Sequence, residues 1–260
     1  MIAWEYLLIP LAALFASLLT FFSGFGLGTI LTPVFAIFFP VELAIALTAI
    51  VHLLNNLFKY MLIGKNTVFR IFLKFGAASI IGAVAGSLLL VAIKDFSLRY
   101  SISIPGVAFQ TNLMKIVIGL LILFFALFEL IPKLRNYQFP RSWYIPGGLV
   151  SGFFGGISGH QGALRSAFLI KYGLAKEQFI ATGIAIALVV DIARLAFYGT
   201  NFIDSSVLEL KGILTITVIS AFLGATLGRQ LLNKVTFKYV EQIVGGFLLV
   251  MGVLISLGIV

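Results

Sequence analysis

The sequence predicts an all-α polytopic membrane protein. It has two inverted-topology repeats, each with a broken or re-entrant short helix hairpin plus three long transmembrane helices. Three observations predict this. The 260-residue chain is 61% hydrophobic and 10% charged, with a mean hydropathy of +1.14. Soluble domains are about 45–50% apolar and about 25% charged. A shift of 135 residues aligns two regions without a gap, placing Ser23 on Ser158, Gly24 on Gly159, Glu42 on Glu177, Ala46 on Ala181, Asn56 on Asp191, Lys59 on Arg194 and Gly64 on Gly199. The basic residues are also unevenly shared between alternate loops.

Apolar runs occupy 4–23, 41–63, 69–91, 113–131, 176–198, 207–228 and 237–258. Each is near the ~20 residues that cross a bilayer. The runs 27–39 and 161–172 are too short to cross comfortably, and 143–157 is short and rich in glycine. Short, Gly-interrupted segments at corresponding places in two halves point to hairpins that meet inside the membrane. The halves are therefore 1–131 and 143–260. Residues 132–142, with Pro132 and Pro140, form the linker. The first 24 residues lack a basic n-region and a small-residue cleavage site, so they read as mature helix rather than signal peptide.

Charge sets the orientation. The loops 64–74, 132–142, 171–176 and 229–238 hold 11 Lys/Arg, and the opposite set holds three: Lys94, Arg99 and Lys211. The first set is expected in the cytoplasm, with both termini outside. The loop after Gly64 is then inside and its counterpart after Gly199 outside, so the second half comes out upside down. The net charge of +9 follows this loop bias and implies no nucleic-acid partner. With no cysteine, disulfides and thiolate metal sites are excluded.

The chemistry concentrates in two polar glycine breaks, Ser23-Gly24-Phe25-Gly26-Leu27-Gly28 and Ser158-Gly159-His160-Gln161-Gly162. A short helix starts after each. A helix start within the membrane presents unpaired N–H groups and about +0.5 elementary charge. Two such starts from inverted copies make an anion site, and the glycines allow close approach. The bland reading is that they form tight turns. Arg165, one turn after Gln161, offers donors suited to an oxyanion; its bland reading is an interfacial cation. His160 can donate to the anion or carry a proton, or simply pack as a neutral ring. The candidate substrate-binding set is Ser23, Gly24, Gly26, Gly28, Ser158, Gly159, His160, Gln161, Gly162 and Arg165.

The run 41–63 carries Thr48, His52, Asn55, Asn56 and Lys59 on one face, a polar stripe that must face protein or a wet cavity. Its counterpart carries Thr182, Asp191 and Arg194, and the last two can pair at i, i+3. The candidate pathway or coupling residues are His52, Asn55, Asn56, Asp191 and Arg194. Lys59 and Arg194 lie near helix ends, where snorkelling to the interface is expected. Glu42 and Glu177 open their helices and are expected to complement the dipole.

With these residues in view, the chain resembles the TauE/SafE-like sulfite exporter family, also called the toluene sulfonate uptake permease (TSUP) family. The resemblance spans nearly the whole chain. It rests on the tandem repeat, the Gly-rich breaks and the run from Gly155 to Gly162 followed by Ala163-Leu164-Arg165-Ser166-Ala167. The family's usual break is a denser glycine run leading to Val-Pro; here the first half keeps Thr32-Pro33, and His-Gln-Gly with a following Arg stands in the second. The resemblance implies a permease moving small sulfur-containing or organic anions, such as sulfite or sulfonates, across a bacterial or archaeal inner membrane. The expected partners are the anion, the bilayer and a coupled proton.

Two other classes stay open on sequence: a passive anion channel, and an intramembrane serine protease suggested by Gly156-Ile157-Ser158-Gly159 with His52 or His160 as base. The repeat explains Ser158 better, since Ser23 occupies the same offset without a catalytic partner. No nucleotide, zincin or dinucleotide motif appears, so no cofactor and no metal are expected.

Overall fold

The computed structural model describes residues 4–19, 26–94, 96, 99–104, 107–203, 207, 209–231 and 238–260. Ser23 and Gly24 lie outside the described residues. The chain is almost entirely helical. The first half contains α1 (Glu5–Leu19), α2 (Leu27–Ala36), α3 (Val41–Ile63), α4 (Phe69–Lys94) and α5 (Leu113–Leu130). The second contains α7 (Tyr144–Ser158), α8 (Gly162–Leu169), α9 (Lys176–Asn201), α10 (Lys211–Leu231) and α11 (Lys238–Ser256), after a short α6 (Pro132–Arg135) in the linker.

Five helical stretches are long and apolar enough to cross a membrane: Val41–Asn66, Phe69–Lys94, Leu113–Leu130, Lys176–Gly199 and Lys211–Gln230. The described parts of α1 and α11 are apolar but shorter. Large apolar side chains face outward along these helices, among them Phe15, Met61, Ile81, Leu120, Leu223 and Ile243. In water such a surface would aggregate; in lipid it is the solvated face. Buried inside are the polar residues Ser17, His52, Asn55, Asn56, Lys59, Asp191 and Arg194.

Local chemistry sets the helix ends. Glu42 and Glu177 stand in the first turns of α3 and α9, where a carboxylate complements the positive end of the helix. Asn112 caps α5, its side chain accepting from Lys115 N at 2.8 Å. Gly159 ends α7 at φ +79°, a left-handed conformation that glycine adopts without strain.

The segment 92–112 differs from the expected loop, and from an all-α chain. It contains an antiparallel hairpin, β1 (Arg99–Ile104) and β2 (Val107–Asn112), running from Arg99 opposite Asn112 to Ile104 opposite Val107. The reason is legible afterwards: two short runs, rich in β-branched and aromatic residues, flank Pro105-Gly106. Thr111 Oγ1 donates to Ser256 O at 2.9 Å, tying this hairpin to the end of α11.

The helices pack across the halves. α1 lies on α10, α4 on α7, α5 on α11, and α3 on α9 at the centre. Small residues bring backbones together. A side chain on Gly152 of α7 would collide with the Ser79 carbonyl of α4, and Gly119 of α5 faces Gly252 of α11. α3 and α9 run in opposite directions: the end of α3 leads to Val68, whose N–H donates to Thr182 Oγ1 near the start of α9 at 3.0 Å. Lys94, at the end of α4, donates to the Asn201 carbonyl at the end of α9.

Candidate anion site

The described end of the first break, residues 26–28, meets the second break inside the protein. Gly26 precedes α2 in an extended conformation. A methyl group built on Gly28 would sit 3.5 Å from Gly159 O and 3.6 Å from Thr48 Cγ2. The first turn of α2 therefore lies against the apex of the second break. α8 starts immediately beyond it, with Gln161 N donating to Gly159 O at 3.0 Å and Arg165 N to Gln161 O at 2.9 Å.

A cavity of about 400 Å³ reaches this point. Its inner end is lined by Gly26, Leu27, His52, Asn56, Lys59, Gly159, Gln161, Gly162 and Arg165. Its outer end is lined by exposed residues of the linker and the start of α9, including Arg135, Tyr137, Gln138 and Lys176. The walls between are largely apolar: Phe179, Ile180, Ile184 and Ala187 on α9, with Phe128 on α5.

At the inner end the polar stripes of α3 and α9 join. A carboxylate only accepts, so His52 Nδ1–H donates to Asp191 Oδ2 at 2.7 Å. Asn56 Nδ2 donates to the same oxygen at 2.9 Å. Arg194 Nη2 lies 3.0 Å from Asp191 Oδ1 as an i, i+3 ion pair, though at an angle outside hydrogen-bonding range. None of the Arg194 nitrogens has a hydrogen-bond partner among the described residues.

Arg194 does not snorkel. It is fully buried, its guanidinium pressed against Gly159. Two features hold it there. Gly159 has no side chain to obstruct it, and the carbonyl end of α7 and the Asp191 carboxylate supply the negative charge that a buried cation requires. Lys59 is likewise buried rather than interfacial: its Nζ donates to Ser17 O at 3.4 Å, near the end of α1. Each half thus places the cation of its long central helix at the carbonyl end of its own first helix.

The remaining sequence candidates fall into two groups. Gln161 and Arg165 line the cavity with donors to spare. Both polar atoms of the buried Gln161 amide, and Arg165 Nη1, lack a hydrogen-bond partner among the described residues. Arg165 lies over Gly183 of α9, where a methyl group would sit 3.3 Å from its Nε. Ser158, His160 and Asn55 turn away from the cavity. Ser158 Oγ donates to Phe154 O of its own helix at 3.2 Å, so His160 Nδ1–H donates to Ser158 Oγ at 2.9 Å. The His160 ring stacks on Phe125, with centroids 5.4 Å apart. Asn55 lies between Ser17, Lys59 and Ala221, its amide oriented to accept from Lys59 Nζ at 3.2 Å and to donate to Ala221 O at 3.2 Å.

Tyr198 is not among the sequence candidates. It is fully buried, and its hydroxyl reaches the Gly156 carbonyl and Ile157 O, the latter at 2.8 Å. It thereby grips the last turn of α7 from α9. Its spacing gave a signal, since Asp191, Arg194 and Tyr198 fall at i, i+3 and i+7 on one face. Ser17, which meets Lys59 and Asn55, carried no such signal.

Five helices of membrane-crossing length and a cavity that reaches the helix breaks mark a multi-pass membrane protein, and its family places it in the transporter class. More particularly, the chain belongs to the sulfite exporter TauE/SafE family, which it matches over residues 9–255. No curated protein matches it, and no solved structure does. Family membership makes it a membrane permease of the sulfite-type anion class, not an enzyme.

Proposed function

We propose that the chain is a secondary transporter that moves small sulfur-containing or organic anions across a bacterial or archaeal inner membrane by alternating access. The anion sits where α2 and α8 begin, contacted by the Gln161 amide, Arg165 and first-turn N–H groups, with Arg194 supplying positive charge from behind Gly159. The observation that carries this reading is the set of unpartnered polar groups there. Buried donors are almost always paired, and leaving one unpaired costs about 1–3 kcal/mol. Both polar atoms of the Gln161 amide, and Arg165 Nη1, lack partners among the described residues where the two side chains line one cavity. An oxyanion supplies acceptors for all the donors among them.

The finer architecture belongs to the same proposal: inverted repeats at 1–131 and 143–260 about a cytoplasmic linker at 132–142. The helix pairing supports it, because exchanging the halves converts α1 on α10 into α7 on α4 and returns α3 on α9 and α5 on α11 to themselves. The antiparallel crossing of α3 and α9, which are equivalent helices, supports inversion. With Arg135 and Lys176 at its mouth, the cavity then faces the cytoplasm, by the positive-inside bias.

The test is a binding screen of purified protein against sulfite, thiosulfate, sulfonates and short carboxylates, with Arg165→Ala alongside. Binding by the wild type, weakened about tenfold or more in the variant, is expected. An identical response to every ligand would remove Arg165 from the site. Counterflow in liposomes separates carrier from channel: exchange of labelled anion accelerated by unlabelled anion on the far side indicates a carrier, and flux that never saturates indicates a pore.

A further inference from the structure

Among the described residues, His52 is the titratable side chain that both lines the cavity and hydrogen-bonds to Asp191. The carboxylate fixes its tautomer. With Nδ1–H committed to Asp191 Oδ2, the lone pair of the neutral ring is at Nε2. That nitrogen points toward the start of α2, where a methyl group on Gly26 would lie 3.9 Å away. We propose that His52 is the proton-binding site of the transport cycle, taking a proton at Nε2 as the anion settles at the start of α2 and α8, so that anion and proton move together. This deepens the anion-carrier reading and rests on it.

The step is a simple proton transfer. A proton from cavity water forms a bond to the Nε2 lone pair, and the imidazolium keeps its Nδ1–H bond to Asp191. Release on the far side restores the neutral ring. The charges around His52 are Asp191 and Arg194 on α9 and Lys59 on its own helix, with His160 approaching from the second break. Asp191 already answers to Arg194. An arriving anion adds the negative charge that an imidazolium needs, and the imidazolium adds a donor beside the anion. Each therefore strengthens binding of the other, and by linkage the effect is reciprocal.

The experiment uses methanesulfonate and thiosulfate, both fully ionised between pH 6 and 8. Calorimetric titration of the purified protein at the two pH values, in buffers of different ionisation enthalpy, gives affinity and proton count together. For the wild type, affinity about ten- to hundredfold tighter at pH 6 is expected, with about one proton taken up per anion at the upper pH. For His52→Gln, the affinity is expected to be equal at both pH values, whatever its level, with no uptake. The wild-type proton count does not depend on the variant folding. Wild-type binding without pH response or uptake would overturn the proton site and leave the anion carrier standing. A His52→Gln protein that keeps the full pH response would move the proton elsewhere. No saturable binding of either anion would sink the carrier reading and this one together.

Discussion

Asn56 and Asp191 stand 135 residues apart in the chain and touch, Asn56 Nδ2 donating to Asp191 Oδ2 at 2.9 Å. That separation is the offset of the sequence repeat. When two copies are related by a two-fold axis, equivalent residues meet where the axis passes. On the two-repeat reading, this hydrogen bond marks the axis, and the cavity's inner end is built around it. The copies are no longer identical there. One keeps an amide and the other a carboxylate, so a neutral donor meets a charged acceptor instead of two acids repelling.

The pair predicts a charge-swap result. Asn56→Asp alone sets two buried carboxylates against each other and should markedly lower the melting temperature in detergent. Adding Asp191→Asn should recover part of that loss, because the new carboxylate faces an amide again and has Lys59 at i, i+3. A double-mutant cycle should give a coupling of about 1 kcal/mol or more. Simple additivity of the two changes would mean that the contact does not join the halves energetically.

Single introduced cysteines test the inversion directly, since the chain has no native cysteine to confuse labelling. Asn66→Cys should react only from the cytoplasmic side of intact vesicles, and Asn201→Cys only from the opposite side. Reaction of both from one side would remove the inverted repeat, and the facing helix starts would lose their rationale.

Gly159 and Gly28 should respond differently to alanine. At Gly159 the backbone is left-handed and a methyl group would run into Arg194. Gly159→Ala should lower stability by about 1–3 kcal/mol through strain alone, and more if Arg194 is displaced. At Gly28 the nearest atoms lie at ordinary contact distance, 3.5 Å or more. Gly28→Ala should melt within a few degrees of wild type. Equal loss in both would mean that the left-handed turn is not what makes Gly159 necessary.

Much of this was legible because membrane chemistry is strict. Burying Asp191, Arg194 and Lys59 in an oily helix requires partners, so a polar stripe announces an interior. Glycine breaks announce helix starts for the same reason. What sequence did not reveal depends on shape. Arg194 and Lys59 look like interfacial cations when counted from the helix end, and only the position of Gly159 and of the end of α1 shows them to be interior. The hairpin at 99–112 lies in a stretch that Lys94 and Arg99 mark as a loop, although Pro105-Gly106 between two short strand-like runs is a local signal. Tyr198 looks like an ordinary core aromatic until Ile157 O is found 2.8 Å from its hydroxyl.

Tyr198→Phe therefore isolates a single hydroxyl. Ring packing is retained, while the last turn of α7 loses a donor. Stability should fall by about 0.5–1.5 kcal/mol, and anion affinity should fall with it, because α7 positions Gly159 and the start of α8. A variant that melts lower but binds the anion as tightly as wild type would confine Tyr198 to stability.

Gln161 offers a sharper test, because stability and affinity should move in opposite directions. Its amide is buried with both polar atoms unpartnered among the described residues. In the empty protein that is a penalty, and Gln161→Leu replaces it with an apolar group of similar length. The variant should therefore be as stable as wild type or more so, by up to about 1–3 kcal/mol. If the amide is held ready for an anion, the same change should weaken binding about tenfold or more, since the ligand loses a donor and meets a methyl group instead. Thermal shift without ligand, set beside calorimetry with ligand, reads both quantities on one preparation. A variant that is less stable and binds normally would mean that the amide serves the fold, and the anion would have to be held by the helix start and Arg165 without it.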